Sequence, residues 1–263
     1  MTFKPFKVDV AICVKNDAGT LRYVLKRVVR YVPLNRLIVI DGGSDDKSVE
    51  IAREFGAEIY LDEGRGLGYA RSMALRLVET PIFAFIDGDT FIPKNWFDLI
   101  KYFKDPKVAV ASGFTFFGPE NPVLRALSEY QLQRYKFMSA SLSNALLRLK
   151  HVKEAGGIRE DLPSGEDGAL QRKLLAKGFM WIVDRRIISY QPRRLRQHLA
   201  HMRWWGRGTR AVGDSVLKPA WFLMKSPVTA IALFLSAHPV LLLYYPMLKL
   251  HGYLGYLDEA KAE

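Results

Sequence analysis

Three short stretches place carboxylates where a buried sheet would end. The apolar run Pro81-Ile82-Phe83-Ala84-Phe85-Ile86 leads straight into Asp87-Gly88-Asp89. Two acids at the carboxyl end of a buried strand are costly to desolvate unless a cation or polar ligand meets them. In extended geometry the spacing of two aims both side chains to the same side. Hard divalent cations take oxygen ligands, and Mg²⁺ is usually held by one or two carboxylates plus substrate phosphates. The pattern therefore points to a metal–diphosphate site, and the alternative is a solvated Asp-Gly turn. Two more polar clusters, Lys15-Asn16-Asp17 and Asp41-Gly42-Gly43-Ser44-Asp45-Asp46, stand at the ends of the apolar runs Val8–Val14 and Leu37–Asp41. Ser44 or Asp45 would cap a following helix, and such a cap does not require Asp41 as well. Later, Ser164-Gly165-Glu166-Asp167-Gly168 opens a helix, whose dipole favours an ionised Asp167.

These acids meet only if the elements between them bring them together. Val8–Val14, Leu37–Asp41, Ala57–Leu61 and Ile82–Asp87 are short and apolar, as buried strands are. Leu21–Tyr31, Ser48–Phe55 and Leu67–Val78 have helical spacing, as does Trp96–Phe103. Alternation of this kind predicts a doubly wound α/β sheet with mostly parallel strands. Ligands of such sheets bind beyond the carboxyl ends of the strands, near the point where strand order reverses. A further strand over Val108–Phe114 precedes a helix from about Val123 to Met138, and another helix covers Ala169–Lys177. Tyr130, Tyr135 and Phe137 have the spacing of core residues on the first of these helices, with an acceptor channel as the other reading.

The chain has 263 residues, 49% of them apolar and 25% charged, which suits a folded protein with a sizeable core. Its one cysteine, Cys13, lies in an apolar run, so no disulfide forms within the chain, and a reducing compartment fits. No signal-like stretch precedes the first strand, so a cytosolic catalytic part is expected. Net charge is +12, and eight arginines lie between Arg185 and Gly213 without one acid. Such a field attracts nucleic acid, anionic lipid or phosphorylated substrates. His198 and His201 fall in this stretch, three apart on a basic helix, and read as surface or interfacial residues rather than metal ligands. Val228 to Met247 is twenty residues without a charged side chain, enough to span a bilayer once. Pro239, Pro246 and His238 make an interfacial hairpin the competing arrangement. Basic residues before the stretch and acids after it place the preceding domain in the cytoplasm.

Taken together, Val10-Ala11-Ile12-Cys13-Val14-Lys15-Asn16-Asp17, Ile40-Asp41-Gly42-Gly43-Ser44, Asp87-Gly88-Asp89, Gly156-Gly157 and Gly165-Glu166-Asp167 resemble the motifs of family-2 glycosyltransferases with the GT-A fold. The resemblance covers about residues 6–210. It implies a Rossmann-like, mostly parallel sheet flanked by helices, followed here by an apolar, membrane-associated helical tail. The expected division is a catalytic domain over 1–213, with a nucleotide-binding half at about 6–115 and an acceptor-binding half at about 116–213, and then the tail over 214–263. The family further implies inverting transfer from a UDP- or GDP-sugar with Mn²⁺ or Mg²⁺. By position, Asp41 would contact base or ribose, with Val14, Asn16 and Asp17 lining the same cleft. Arg71, Gly88 and Glu166 would lie against the donor. Asp87 would bind ribose or metal, Asp89 would ligate the metal, and Asp167 would be the general base. Arg203-Trp204-Trp205-Gly206-Arg207-Gly208 resembles a basic loop whose arginines close over the diphosphate. Cys13, Lys15 and Gly42 depart from the common pattern and leave the choice of uridine or guanosine open. Ala200 stands where processive polysaccharide synthases carry Gln, which argues against that activity.

The expected partners are thus a nucleotide sugar, a lipid-phosphate or glycan acceptor and a membrane surface at the cytoplasmic face, and not nucleic acid. Two other readings remain to be separated from this one. A basic nucleic-acid-binding protein would use the arginines and aromatics but leaves the acidic strand ends unexplained. A nucleotidyltransferase on a similar sheet would release pyrophosphate instead of a nucleoside diphosphate.

Overall fold

The computed structural model describes residues 6–134, 141–236 and 238–258. Tyr135, Phe137 and the Met138 end of the expected helix lie outside these. The strands are β1 (Val8–Val14), β2 (Leu34–Asp41), β3 (Glu58–Leu61), β4 (Ile82–Ile86), β5 (Val108–Phe117), β6 (Asn144–Arg148) and β7 (Met180–Gln191). The helices are α1 (Ala18–Tyr31), α2 (Ser48–Glu54), α3 (Leu67–Leu77), α4 (Pro122–Arg134), α5 (Leu149–Glu154), α6 (Glu166–Ala176), α7 (Leu195–Ala211), α8 (Leu217–Ser236) and α9 (Leu241–Asp258). Trp96–Lys104 is a 3₁₀ segment. Two compact units result, one holding 6–115, 141–161 and 167–190, the other 116–134, 162–166 and the described residues from 191 on. Helix α7, which the sequence assigns to the catalytic domain, therefore groups with the apolar tail.

The sheet runs in the order β3-β2-β1-β4-β6-β5-β7. Pairings β1–β2, β1–β4 and β2–β3 are parallel, as expected, whereas β6 is antiparallel to both β4 and β5. Strand order turns at β1, because the chain moves outward to β2 and β3 and then returns to the other side as β4. Both faces of β1 are covered, which is why it reads as an unbroken apolar run. Val8, Val10, Ile12 and Val14 pack with Val24, Leu25 and Val28 of α1. Ala11 packs on the opposite face with Ala70, Ala74 and Leu75 of α3 and with Leu170 and Leu174 of α6.

At the other end of β1 an acid is buried for structural reasons. Asp9 is 0% exposed, and its carboxylate accepts from Asn35 Nδ2 at 2.8 Å, Glu79 N at 2.7 Å and Thr80 N at 3.2 Å. Charge-assisted bonds of this kind compensate its desolvation.

In the second unit α7 and α8 both pack on α9, and α4 joins their core through Val123, Leu124 and Leu127. Helices α7 and α9 cross with their backbones nearly touching, since a Cβ on Gly206 would overlap the Gly252 carbonyl and one on Gly255 the Arg203 carbonyl. Asp258 accepts from Arg203 Nε at 2.6 Å and Nη2 at 2.8 Å across the same crossing.

The stretch Val228–Met247 is not one helix. Helix α8 stops at Ser236, and His238 N donates to Leu233 O at 3.2 Å to close it. Pro239 then turns the chain, Val240 N donates to His238 Nδ1 at 3.2 Å, and α9 begins at Leu241. Among the described residues no helix is long and apolar enough to cross a membrane, and of the two arrangements the sequence leaves open, a span or a hairpin, the stretch forms a helical hairpin.

Candidate active site

The carboxyl ends of β1, β2 and β4 lie side by side because these strands are neighbours, with β1 in the middle. The loops after β1 and β2 are tied together backbone to side chain. Asn16, in the left-handed region at φ 58°, donates its amide to Ser44 Oγ at 2.9 Å and accepts from Asp45 N at 2.9 Å. Asp17 N donates to Ser48 Oγ at 2.9 Å, and Ala18 N to Asp46 Oδ2 at 2.9 Å. Asp41 is 2% exposed, and its carboxylate accepts from the Gly43 and Ser44 amides and, at 2.6 Å, from Ser44 Oγ. Its carboxylate thus shapes the 42–44 turn. Lys15 lies over Gly42, where an added Cβ would meet the lysine Cβ and Cδ at 3.4 Å.

Asp17 is the focus of the second cluster. A Cβ on Gly88 would lie 2.7 Å from Asp17 Oδ2 and 3.1 Å from Val14 Cγ1, so glycine at 88 allows the β1 loop to settle between the two acids of the β4 loop. Burial pushes the Asp17 carboxyl up to about 7, and the nearby Asp89 adds to it, with smaller contributions from Asp87 and Asp46; the Lys15 amide pulls the other way. A carboxylate held against like charge away from water is the electrostatic signature of a cation or ligand site. Asp87 has a partner of its own, since its Oδ1 accepts from Arg71 Nη2 at 2.6 Å. Arg71 is 3% exposed and lies over the Phe85 ring, so α3 delivers a fixed guanidinium to the end of β4.

Asp17, not only the Asp87–Asp89 pair, therefore belongs to the candidate cation set. The spacing within each motif could not reveal this, because it depends on β1 lying beside β4. Among the described residues no group of three or more Asp, Glu, His or Cys is arranged to hold a metal ion by itself. The donor set nevertheless fits a hard divalent ion that takes part of its shell from diphosphate oxygens and water.

Asp167 is half-buried at the start of α6, where its Oδ1 accepts from Gly168 N at 2.7 Å, and the preceding Glu166 is buried.

The arginine-rich stretch differs from its expected form. Arg203 to Gly208 is not a loop but two turns of α7, and its glycines are packing residues: Gly206 meets α9, and a Cβ on Gly208 would overlap Ser164 Oγ. The bidentate bond to Asp258 makes Arg203 a strap between α7 and α9, while Arg207 is exposed on the same helix. Other members of the field are engaged as well. Arg186 binds Asp184, whose carboxyl it holds, with Tyr102, well below the usual carboxylate range. Arg193 lies over Phe117 and Arg210 over Tyr256.

His198 is a buried core residue and His201 is half-buried. His198 Nδ1 bonds Tyr244 Oη at 2.9 Å, and His201 lies between Trp204 and Trp205. Burial, with Arg193 next, pushes both imidazoles down to about 3.

A sheet of this order, with acids at the ends of β1, β2 and β4, is a doubly wound α/β arrangement, a class whose ligands bind beyond the carboxyl ends of the strands. The family is settled by sequence comparison: residues 9–162, more than half of the chain, match the model of glycosyl transferase family 2, and the protein belongs to that family. The pre-mycofactocin glycosyltransferase of Mycobacterium tuberculosis is 28% identical over 219 residues, covering 75% of this chain and 44% of that one. The chain thus spans less than half the length of that relative. Glycosyltransferase AglE of Haloferax volcanii is 27% identical over 207 residues, covering 72% and 68%. Among solved structures, the mannosyltransferase PcManGT of Pyrobaculum calidifontis, in complex with GDP-mannose and Mn²⁺, superposes with a TM-score of 0.63 at 16% identity over 98% of this chain and 76% of that one. Glucosyl-3-phosphoglycerate synthase of M. tuberculosis, with Mn²⁺, UDP and phosphoglyceric acid, gives 0.57 at 18% identity over 80% of each. At these identities the likeness establishes the fold.

Proposed function

We propose that this protein transfers a sugar, with inversion, from a UDP- or GDP-sugar to a lipid-phosphate or glycan acceptor, using Mn²⁺ or Mg²⁺, at the cytoplasmic face of the cell membrane. The observation that carries the reading is the Asp17 carboxylate pressed against Gly88 and raised toward neutrality by burial and Asp89. Asp89, Asp17 and Asp87 are the residues that would hold the cation, which when bound supplies electrostatic stabilisation of the departing diphosphate. Arg71 fixes the Asp87 carboxylate and brings positive charge to the same strand end. The Asn16–Ser44 and Asp41–Ser44 bonds hold the two loops that flank a nucleotide beyond β1 and β2. Asp167, at the start of α6, takes the proton of an acceptor hydroxyl at its carboxylate. With a phosphate acceptor, already largely ionised near neutral pH, it orients the acceptor instead.

The test is product analysis with UDP- and GDP-sugars, Mn²⁺ and a polyprenyl phosphate or oligosaccharide acceptor. Release of nucleoside diphosphate is expected, and Asp89→Ala is expected to slow it by about 100-fold or more. Pyrophosphate as the product would reassign the enzyme to nucleotidyl transfer. Wild-type turnover by Asp89→Ala in the presence of metal would remove the cation from the mechanism.

A further inference from the structure

Each helix of the α8–α9 hairpin carries two apolar stripes, and only one of them is used. Ala230 and Leu233 of α8 and Leu241, Tyr244, Tyr245 and Leu248 of α9 form the core of the second unit. On the other side of α8, Leu217, Trp221, Met224, Val228, Ile231 and Leu235 follow one another at steps of four and three, and all are 52 to 76% exposed. Helix α9 repeats the pattern with Leu243, Met247, Leu250 and Leu254, at 37 to 73% exposed. A helix that is apolar on its outer face as well as its inner one is covered by something in use. Phe222, Phe234 and Leu242, also exposed, widen the surface beyond a narrow seam.

We infer that this outer face lies in the interface of an anionic phospholipid bilayer, parallel to its plane, with the hairpin inserted by its side and not end-on. The residues at the rim identify the occupant. Between Asp214 and Asp258 there is no acid, and the charges are Lys218, which donates to Asp214 at 2.6 Å, Lys225 and Lys249. Exposed Lys225 lies over the exposed Trp221 ring at 4.1 Å, whereas Lys249 is packed between Tyr245 at 5.0 Å and Phe222 at 5.6 Å, where burial lowers its pKa, and is not part of the rim. A cation snorkelling beside an exposed aromatic ring at the border of an apolar band is what a headgroup layer accommodates. The acids at the two ends of the hairpin, Asp214 and Asp258, are already bound by Lys218 and Arg203, so a second copy would meet Lys225 with no acid left to answer it, unlike the mixed flanking charges of paired helices. The surface belongs entirely to the second unit, so its failure and the failure of the proposed transfer reaction are separate results.

The experiment is partition of the full chain onto phosphatidylcholine vesicles with and without phosphatidylglycerol. Wild type is expected to bind the anionic vesicles, less so in high salt, and brominated acyl chains are expected to quench a tryptophan signal that Trp221→Phe removes. Met224→Glu/Val228→Glu/Ile231→Glu is expected to lower partition about tenfold or more, and Lys218→Glu/Lys225→Glu to lower it only on anionic vesicles. Helical circular dichroism like that of wild type certifies that each variant is folded. Wild type that stays in solution with anionic vesicles overturns the inference. So do stripe variants that partition unchanged, or that convert a stable dimer to monomer with no effect on vesicles, which would assign the face to a second copy.

Discussion

Asp9 and Asp17 terminate the same strand at opposite ends, and the contrast between them separates a structural acid from a functional one. Asp9 accepts from two backbone amides and the Asn35 side-chain amide, so its buried oxygens are all partnered within the protein. Asp17 meets Gly88, Asp89 and Asp87, and its carboxyl rises from 3.8 to about 7. A carboxyl that binds its proton more tightly folded than unfolded adds stability in full below about pH 3.8. That contribution declines as pH rises and is gone above about 7. Asp17→Asn, which cannot ionise, is therefore expected to raise the unfolding midpoint at pH 8 without divalent ions and to leave it nearly unchanged at acid pH. The gain should be on the order of 1–2 kcal/mol, since one pKa unit corresponds to about 1.4 kcal/mol and the site is only partly shielded. Thermal scans at the two pH values check this, and equal midpoints for both proteins at pH 8 would show that Asp17 bears no electrostatic stress. Adding Mn²⁺ should stabilise wild type more than the variant. The sequence marks Asp17 as a cleft residue, but its partnership with Asp89 follows from strand adjacency that motif spacing does not encode.

At the level of elements, legibility tracked how completely a segment is buried. Strands β1, β2 and β4 are covered by helices on both faces and appear as apolar runs, and the helices between them show clear spacing. Strand β7, Met-Trp-Ile-Val-Asp-Arg-Arg-Ile-Ile-Ser-Tyr-Gln, mixes exposed and buried positions at the sheet's edge and carries no such mark. Strand β6 is only five residues long, and its antiparallel insertion between β4 and β5 is a long-range choice. The uncharged stretch leaves a span and a hairpin both open, because composition does not distinguish one long helix from two; the turn at His238 and Pro239 decides it.

The α7–α9 crossing yields a paired prediction. An added Cβ on Gly255 overlaps the Arg203 carbonyl, whereas on Gly252 it meets Met202 O at 3.8 Å, an ordinary contact. Gly255→Ala should force the helices apart, loosen the Arg203–Asp258 strap and cost about 1–3 kcal/mol. Gly252→Ala should stabilise by about 0.5–1 kcal/mol, the usual gain for alanine inside a helix. Opposite shifts in denaturant midpoint are the expected outcome, and equal shifts would mean that the crossing is looser than the structure has it.

For the molecule as a whole, the two units have separate cores, one around the sheet and one around the α7–α9 bundle. Unfolding need not then be a single transition, and a ligand that binds one unit moves that unit's midpoint first. The candidate donor site, built from β1, β2, β4 and α3, lies in the sheet-bearing unit. A nucleoside diphosphate with Mn²⁺ at about 100 times its dissociation constant should stabilise that unit by about 2.7 kcal/mol. For a unit of roughly 150 residues this is a midpoint rise of about 5–10 °C. Differential scanning calorimetry with UDP and GDP, each with and without Mn²⁺, reads both the unit affected and the base preferred. The rise should need the metal, should differ between the two nucleotides, and should vanish in Asp89→Ala. The net charge of +12 supplies the control, since a polyanion such as single-stranded RNA meets the same field without needing the acidic strand ends. A shift produced equally by RNA and by either nucleotide, metal present or absent, would mean that the charge and not the carboxylate cluster is what this protein uses.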